Sequence, residues 1–239
     1  SYMITHLIMN LSMFQTQSVP LTEPESVEKT LSIIELIKSG GTAGQLIIAL
    51  LFVLLVVALY IYFERLFTIK SASKVDPNFM NEIKHHVSSG KIEAAKLLCA
   101  QENSPVSRLI QKGISRIGRP LADINSAIEN AGRLEVYSLE KNVSVLATIS
   151  GAAPMIGFLG TVIGMILSIF EIANSGGQID IKLLADGLYT AMTTTVAGLL
   201  VGIVAYIAFN HLVSRTNKVV YNMEANSVEF LDLLNEPTH

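Results

Sequence analysis

Tryptophan is absent from this 239-residue chain, cysteine occurs once, and only 15% of the residues are charged. The lone Cys99 leaves no disulfide framework. No long basic run points to nucleic acid, and the net charge of −3 is unremarkable. No Gly-Lys-Ser or Gly-Lys-Thr motif is present to cradle a phosphate. What is abundant instead is apolar surface: half of the residues are hydrophobic and the mean hydropathy is positive, outside ordinary soluble composition. Membrane insertion follows as the leading class.

Three stretches lack Asp, Glu, Lys and Arg: Leu46 to Phe63, Asn142 to Phe170 and Gly187 to Asn210. A helix needs roughly 20 apolar residues to cross a bilayer core. The shortest run, 18 residues ending at Glu64 and Arg65, covers about 27 Å at a rise of about 1.5 Å per residue and suffices for one crossing. Twelve of the 17 Lys and Arg residues lie between Glu64 and Lys141. Positive residues in short loops stay cytoplasmic, so the amino terminus is expected outside and the carboxyl terminus inside. Tyr60 and Tyr62 then sit near the inner interface.

Outside the spans the pattern is helical and punctuated. Met3 to Phe14 lacks a basic leader and a small-residue cleavage pattern, so it is not read as a cleaved signal peptide. Val27, Leu31, Ile34 and Ile37 oppose Glu25, Glu28, Lys29 and Glu35, an amphipathic helix that Gly40 and Gly41 end. It lies on lipid or packs on a neighbouring subunit; the residues leave both open. Between Glu64 and Lys141, Asp76-Pro77, Gly90, Ser104-Pro105, Gly118 and Pro120 divide several short helices. Asp123 to Lys141 carries apolar residues at helical spacing and is expected to run straight into the second span. The third span is expected to continue through Leu212, Val219, Met223 and Phe230.

The long spans are rich in small residues. The second holds Gly151, Pro154, Gly157, Gly160 and Gly164, and the third holds Gly187, Ala191, Gly198 and Gly202, at spacings of three and four that permit close helix approach. They also carry hydroxyls: Thr148, Thr161 and Ser168 in the second, Thr190, Thr193, Thr194 and Thr195 in the third. Polar pore lining and simple hydroxyl-to-backbone bonding both account for these. A side-chain proton relay normally needs an intramembrane Asp, Glu or His, and neither long span has one in its interior. Glu171, Asp186 and His211 border the spans and read as solvated boundary residues. If protons cross here, a titratable group near the midplane has to come from a different chain.

The run Gly157-Phe-Leu-Gly160-Thr161-Val-Ile-Gly164-Met165, following Pro154, closely resembles the second-span signature of the ExbB/TolQ/MotA proton-channel family. Leu184 to Leu199, through Asp186-Gly187, Thr190, Thr194-Thr195 and Gly198, resembles its third-span signature. Three spans make the chain most similar to ExbB; the flagellar MotA subunit has four. In one departure, Thr190 stands where ExbB and TolQ commonly carry a Glu five positions before the pore threonine, so the role of that Glu is not carried over.

The resemblance implies an all-α integral membrane protein of the bacterial inner membrane, with two of its three membrane helices extended into a cytoplasmic helical bundle. The organisation expected is a periplasmic amino-terminal segment with an amphipathic helix (1–43), a first membrane helix (44–63), a cytoplasmic helical region (64–141), a second membrane helix (142–170), a short periplasmic loop (171–186), a third membrane helix (187–213) and a cytoplasmic carboxyl-terminal helix (214–239). It further implies a homopentamer surrounding the single spans of two ExbD-like chains, whose Asp carries the proton, and a TonB-like protein that passes work to outer-membrane transport. Thr161 and Thr195 match the family's pore-facing threonines; Thr148, Ser168, Thr190 and Thr194 are further pore-lining candidates. Pro154, Gly157, Gly160, Gly164, Gly198 and Gly202 are assigned to helix packing.

Two alternatives stand beside this one: a TolQ-like envelope-maintenance or gliding motor subunit, and a passive scaffold, which would need the small-residue faces but not the hydroxyls. An intramembrane enzyme is set aside, because the spans contain no paired acids, no Ser-His dyad and no ligand cluster. His85 and His86 are adjacent, so a helix points them apart, and no metal or cofactor is assigned.

Overall fold

The structure, a computed structural model, describes residues 41–174 and 181–235. The amphipathic helix expected near Val27 to Ile37, the stretch Met3 to Phe14, and the middle of the loop between the second and third spans lie outside the described residues. Those described form seven helices and no strand: α1 (Gly41–Ala72), α2 (Phe79–Ser88), α3 (Ile92–Glu102), α4 (Pro105–Ile114), α5 (Leu121–Glu140), α6 (Val143–Asn174) and α7 (Ile181–Asn235). Three of them, α1, α6 and α7, are long and apolar enough to cross a membrane.

The backbone in a bilayer must satisfy its own hydrogen bonds, which a helix does and an open strand does not. α1 outlasts its apolar run and continues from Phe63 to Ala72. Its buried stripe, Leu51, Ala58, Ile61, Arg65 and Ile69, recurs at helical spacing. Arg65 belongs to that stripe because it is paired: its guanidinium bonds Glu64 and donates to the carbonyl of Ser138 on α5 at 3.2 Å. The charge ends the hydrophobic run without ending the helix.

The short helices break where turn chemistry demands it. Ser104 caps α4 reciprocally: Ser107 N–H donates to Ser104 Oγ at 3.1 Å, and Ser104 N–H donates to Ser107 Oγ at 2.9 Å, with Pro105 in the first turn. Phe79, Ile83, Ala95, Cys99, Val106, Ile110, Ile114 and Ile128 are buried here together with Met223 and Phe230 of α7. A guanidinium fork from Arg108 to Glu135, both contacts 2.7 Å, ties α4 to α5.

α5 does not run straight into the second span. It ends at Glu140, Lys141 is extended, Asn142 takes a left-handed φ of 63°, and α6 begins at Val143. Asn tolerates this region because its short polar side chain can bond locally. α7, by contrast, is one helix of 55 residues, about 82 Å long. As expected, the third span and the carboxyl-terminal helix are continuous. α6 packs along most of the apolar part of α7, and α1 lies against both.

Candidate functional site between the second and third membrane helices

α6 and α7 run antiparallel and meet through their smallest residues. A Cβ placed on Gly157 would fall 2.7 Å from the carbonyl oxygen of Thr194, and one on Gly198 would fall 2.6 Å from that of Ala153 and 2.8 Å from the Cα of Gly157. Gly160 faces the side chain of Thr194, Gly164 faces Ala191, and Gly187 faces Ser168. At the other end Gly202 accommodates Pro154, where a Cβ would meet the ring at 2.6 Å and the Ser150 carbonyl at 3.1 Å. Proline has no N–H to bond the carbonyl four residues back, which is that of Ser150. All six residues assigned to helix packing therefore lie on the α6–α7 seam.

This approach brings two hydroxyls together. Thr161 Oγ1 and Thr195 Oγ1 are hydrogen-bonded across the seam. Thr161 Oγ1 also lies 3.0 Å from the Ala191 carbonyl, and Thr195 Oγ1 lies 3.3 Å from the Gly157 carbonyl. Each hydroxyl has one proton to donate, so two protons serve three contacts. In one arrangement Thr195 donates to Thr161, which donates to Ala191; in the other Thr161 donates to Thr195, which donates to Gly157. The pair can reverse its polarity by rotating two hydroxyls. Both residues are partly exposed, so the pair is open along one side.

Of the other candidate hydroxyls only Thr194 meets the pair, through the Ala191 carbonyl that it shares with Thr161. Thr194 is fully buried and donates to Ala191 at 2.8 Å, and Ser168 is buried and donates to the Gly164 carbonyl at 2.9 Å. Thr190 is buried, donates to the Asp186 carbonyl at 2.9 Å and presents its methyl group to Gly44 of α1. Thr148 is exposed and donates to the Ser144 carbonyl at 3.1 Å. These four bond carbonyls three or four residues back on their own helix.

Sequence reasoning passed over one cluster. His211, expected to be solvated, is half-buried, 2.9 Å through Nδ1 from the hydroxyl of Tyr62 on α1, and accepts at Nε2 from Arg215 Nε at 3.1 Å. The only signal was the coincidence of Tyr62 and His211 at matching ends of their spans. Glu171 and Asp186 are exposed, as expected.

A family model described as the MotA/TolQ/ExbB proton channel family matches residues 101–225, which include both threonines and both long membrane helices up to Tyr221 and beyond. An ExbB homolog from Methanothermobacter thermautotrophicus is 26% identical over 194 residues, 81% of this chain and 67% of that protein. The biopolymer transport protein ExbB of Aquifex aeolicus is 36% identical over 87 residues, 36% of this chain and 58% of that protein. The Tol-Pal system protein TolQ of Pseudomonas aeruginosa is 25% identical over 228 residues, 91% of this chain and 98% of that protein.

Proposed function

Because the chain belongs to the MotA/TolQ/ExbB proton channel family, we propose that it is an ExbB-like subunit of a motor driven by the proton-motive force. In this reading it works with an ExbD-like partner to energise TonB-dependent transport at the outer membrane. It sits in the inner membrane with its carboxyl terminus in the cytoplasm, as a ring of copies, five by the family plan, around two partner spans. The observation that carries the proposal is the hydroxyl pair Thr161–Thr195 in a seam where neither span has an acid or a histidine in its interior. Hydroxyls can hydrogen-bond and orient a titrating carboxylate but do not themselves titrate near neutral pH. A carboxylate on the partner completes the path, and its charge cycle changes its preferred contacts with the ring. One elementary charge crossing 100 mV releases about 2.3 kcal/mol, enough for stepwise motion driven by several protons.

The test is proton flux in liposomes holding this protein alone, with its co-purified single-span partner, and with that partner's membrane Asp changed to Asn. Flux only with the intact partner supports the proposal. A correctly assembled complex that never conducts is a scaffold instead. A second reading, a TolQ-like subunit, draws on the near-complete match to the Pseudomonas aeruginosa TolQ protein; the identity of the co-purified partner separates the two.

A further inference from the structure

Beyond the apolar part of α7, two crevices of unlike charge flank the α5–α7 pair. One lies between α4 and α5, walled by Lys112, Arg116, Ala131 and Leu134. The other lies between α2 and α7, walled by Lys84, Ala225, Val228, Glu229 and Asp232. The groove between α5 and α7 uses other faces of both helices, Gly132 and Val136 on α5 and Val220 and Met223 on α7, so that pair stands between the two crevices. In the first crevice Arg108 is neutralised by its fork to Glu135, which leaves Lys112 and Arg116 uncompensated. The second sets two acids against one lysine. Lys112, Arg116, Glu229 and Asp232 are all exposed, and none of them forms an ion pair among the described residues. Each crevice also shows water a large aliphatic side chain: Leu134 is 71% exposed and Val228 58%.

The two crevices match in depth. A Cβ on Gly113 would fall 2.6 Å from the Phe230 ring and 2.9 Å from the Ile128 side chain, so α4, α5 and α7 share one level there. α7 runs away from its membrane span, α5 runs back toward α6, and the Arg108–Glu135 and Gly113–Ile128 contacts make α4 antiparallel to α5. Lys112 and Glu229 each stand one residue before that level, and Arg116 and Asp232 stand three and two residues after it. At about 1.5 Å per residue, Leu134 lies about 9 Å nearer the membrane than that level and Ala225 about 7.5 Å; for Ala131 and Val228 the figures are about 4.5 and 3 Å. Each free cation therefore has an acid at its own depth on the other flank, and each exposed aliphatic has an alanine. Within one chain α5 and α7 intervene. Between two copies in one membrane the flanks meet with no shift along the normal.

We infer that the α4–α5 crevice docks a second copy of this chain through that copy's α2–α7 crevice. Lys112 and Arg116 meet Glu229 and Asp232, Leu134 meets Ala225, and Val228 meets Ala131. The two patches differ, so the contact is heterologous, and repeated by rotation about the membrane normal it closes a ring. Apolar burial holds the faces together. Exposed ion pairs contribute little individually, but they reject a like-charged face and fix the register. The contact rests on the ring reading of the preceding section and adds the surfaces and the register that close it.

Full-length protein in its co-purified complex, held in lipid nanodiscs, tests the contact. Lys112→Cys and Glu229→Cys in one Cys99→Ala chain, treated with a short bismaleimide, are expected to give a ladder of covalent multimers. Either substitution alone is expected to leave monomers, because a heterologous contact never sets a residue against its own copy. Charge reversal by Lys112→Glu with Arg116→Glu is expected to lower the fraction of protein in rings several-fold by native mass spectrometry. Adding Glu229→Lys with Asp232→Lys to the same chain is expected to restore it. All four residues are exposed, so helical content by circular dichroism is expected to stay unchanged, which separates loss of the ring from loss of the fold. Cross-links to the single-span partner in place of a ladder, dimers from either single substitution, or a charge swap that restores nothing overturns the contact and leaves the ring standing. A complex holding one copy of this chain overturns the ring reading, and the contact with it.

Discussion

Gly157 and Gly198 touch backbone to backbone: a Cβ on Gly198 would lie 2.8 Å from the Cα of Gly157. Within a bilayer no hydrophobic driving force brings helices together, so such direct contact and the bonds it permits supply much of the association. The Thr161–Thr195 hydrogen bond exists because these two glycines let the helices close.

Substituting Gly198→Ala should therefore force the seam apart, at a cost of roughly 1–3 kcal/mol for overpacking. Gly151→Ala is the matched control, since its Cβ would meet nothing within 4 Å. Thermal unfolding in detergent is expected to show a lower midpoint for Gly198→Ala and none for Gly151→Ala. Equal midpoints would mean that the close approach does not exist.

Thr161→Val and Thr195→Val keep side-chain shape and remove the hydroxyl pair. Each is expected to reduce proton flux about tenfold or more while leaving assembly on size-exclusion chromatography intact, whereas Thr161→Ser retains flux. Thr148→Val, on an exposed site bonded only to its own helix, is expected to leave flux unchanged. Flux unaffected by both pair substitutions would remove the threonines from the pathway.

Cys99 is buried in the short-helix bundle, and burial pushes its thiol up to about 12. Desolvation penalises the charged thiolate, so the neutral thiol dominates until the pH approaches that value. Only the thiolate reacts readily, so alkylation at pH 8 should be about a thousandfold slower in the folded protein than after denaturation. Rapid labelling of the native protein by a maleimide would contradict this burial.

Asn142 holds the left-handed joint between α5 and α6. Asn142→Ala is expected to destabilise the protein by roughly 1–2 kcal/mol, and Asn142→Gly to be neutral or better, because glycine pays no Cβ penalty there. Chemical denaturation of the two variants side by side measures the difference, and equal losses would rule out a conformational origin.

The three membrane helices were legible because charge is absent from them over whole spans, and the short-helix boundaries because Pro77, Gly90, Ser104-Pro105 and Pro120 each forbid or cap a turn. The α5–α6 joint was not legible: Asn142 is a weak breaker, and apolar spacing continues on both sides of it. The hydroxyls defeated sequence reading for a different reason. A threonine on a helix can always bond its own carbonyl three or four residues back, as Thr148, Thr190 and Thr194 do. Spacing does not single out Thr161 and Thr195; the family resemblance does, and the seam adds that their hydroxyls bond each other. His211 depended on the register of α1 against α7, set by residues 149 positions apart, and a helical pattern carries no such information.

α7 contains no proline, and beyond Gly202 it contains no glycine. Mechanically it is an unjointed shaft, while its neighbour α6 meets the bundle through a hinge at Asn142. One unbroken helix thus connects Thr195 to Phe230, roughly 50 Å away along the same axis. The path along α6 is interrupted at Asn142. The two helices that share one seam differ in how they join what lies beyond it, α7 by an unbroken helix and α6 by the joint at Asn142.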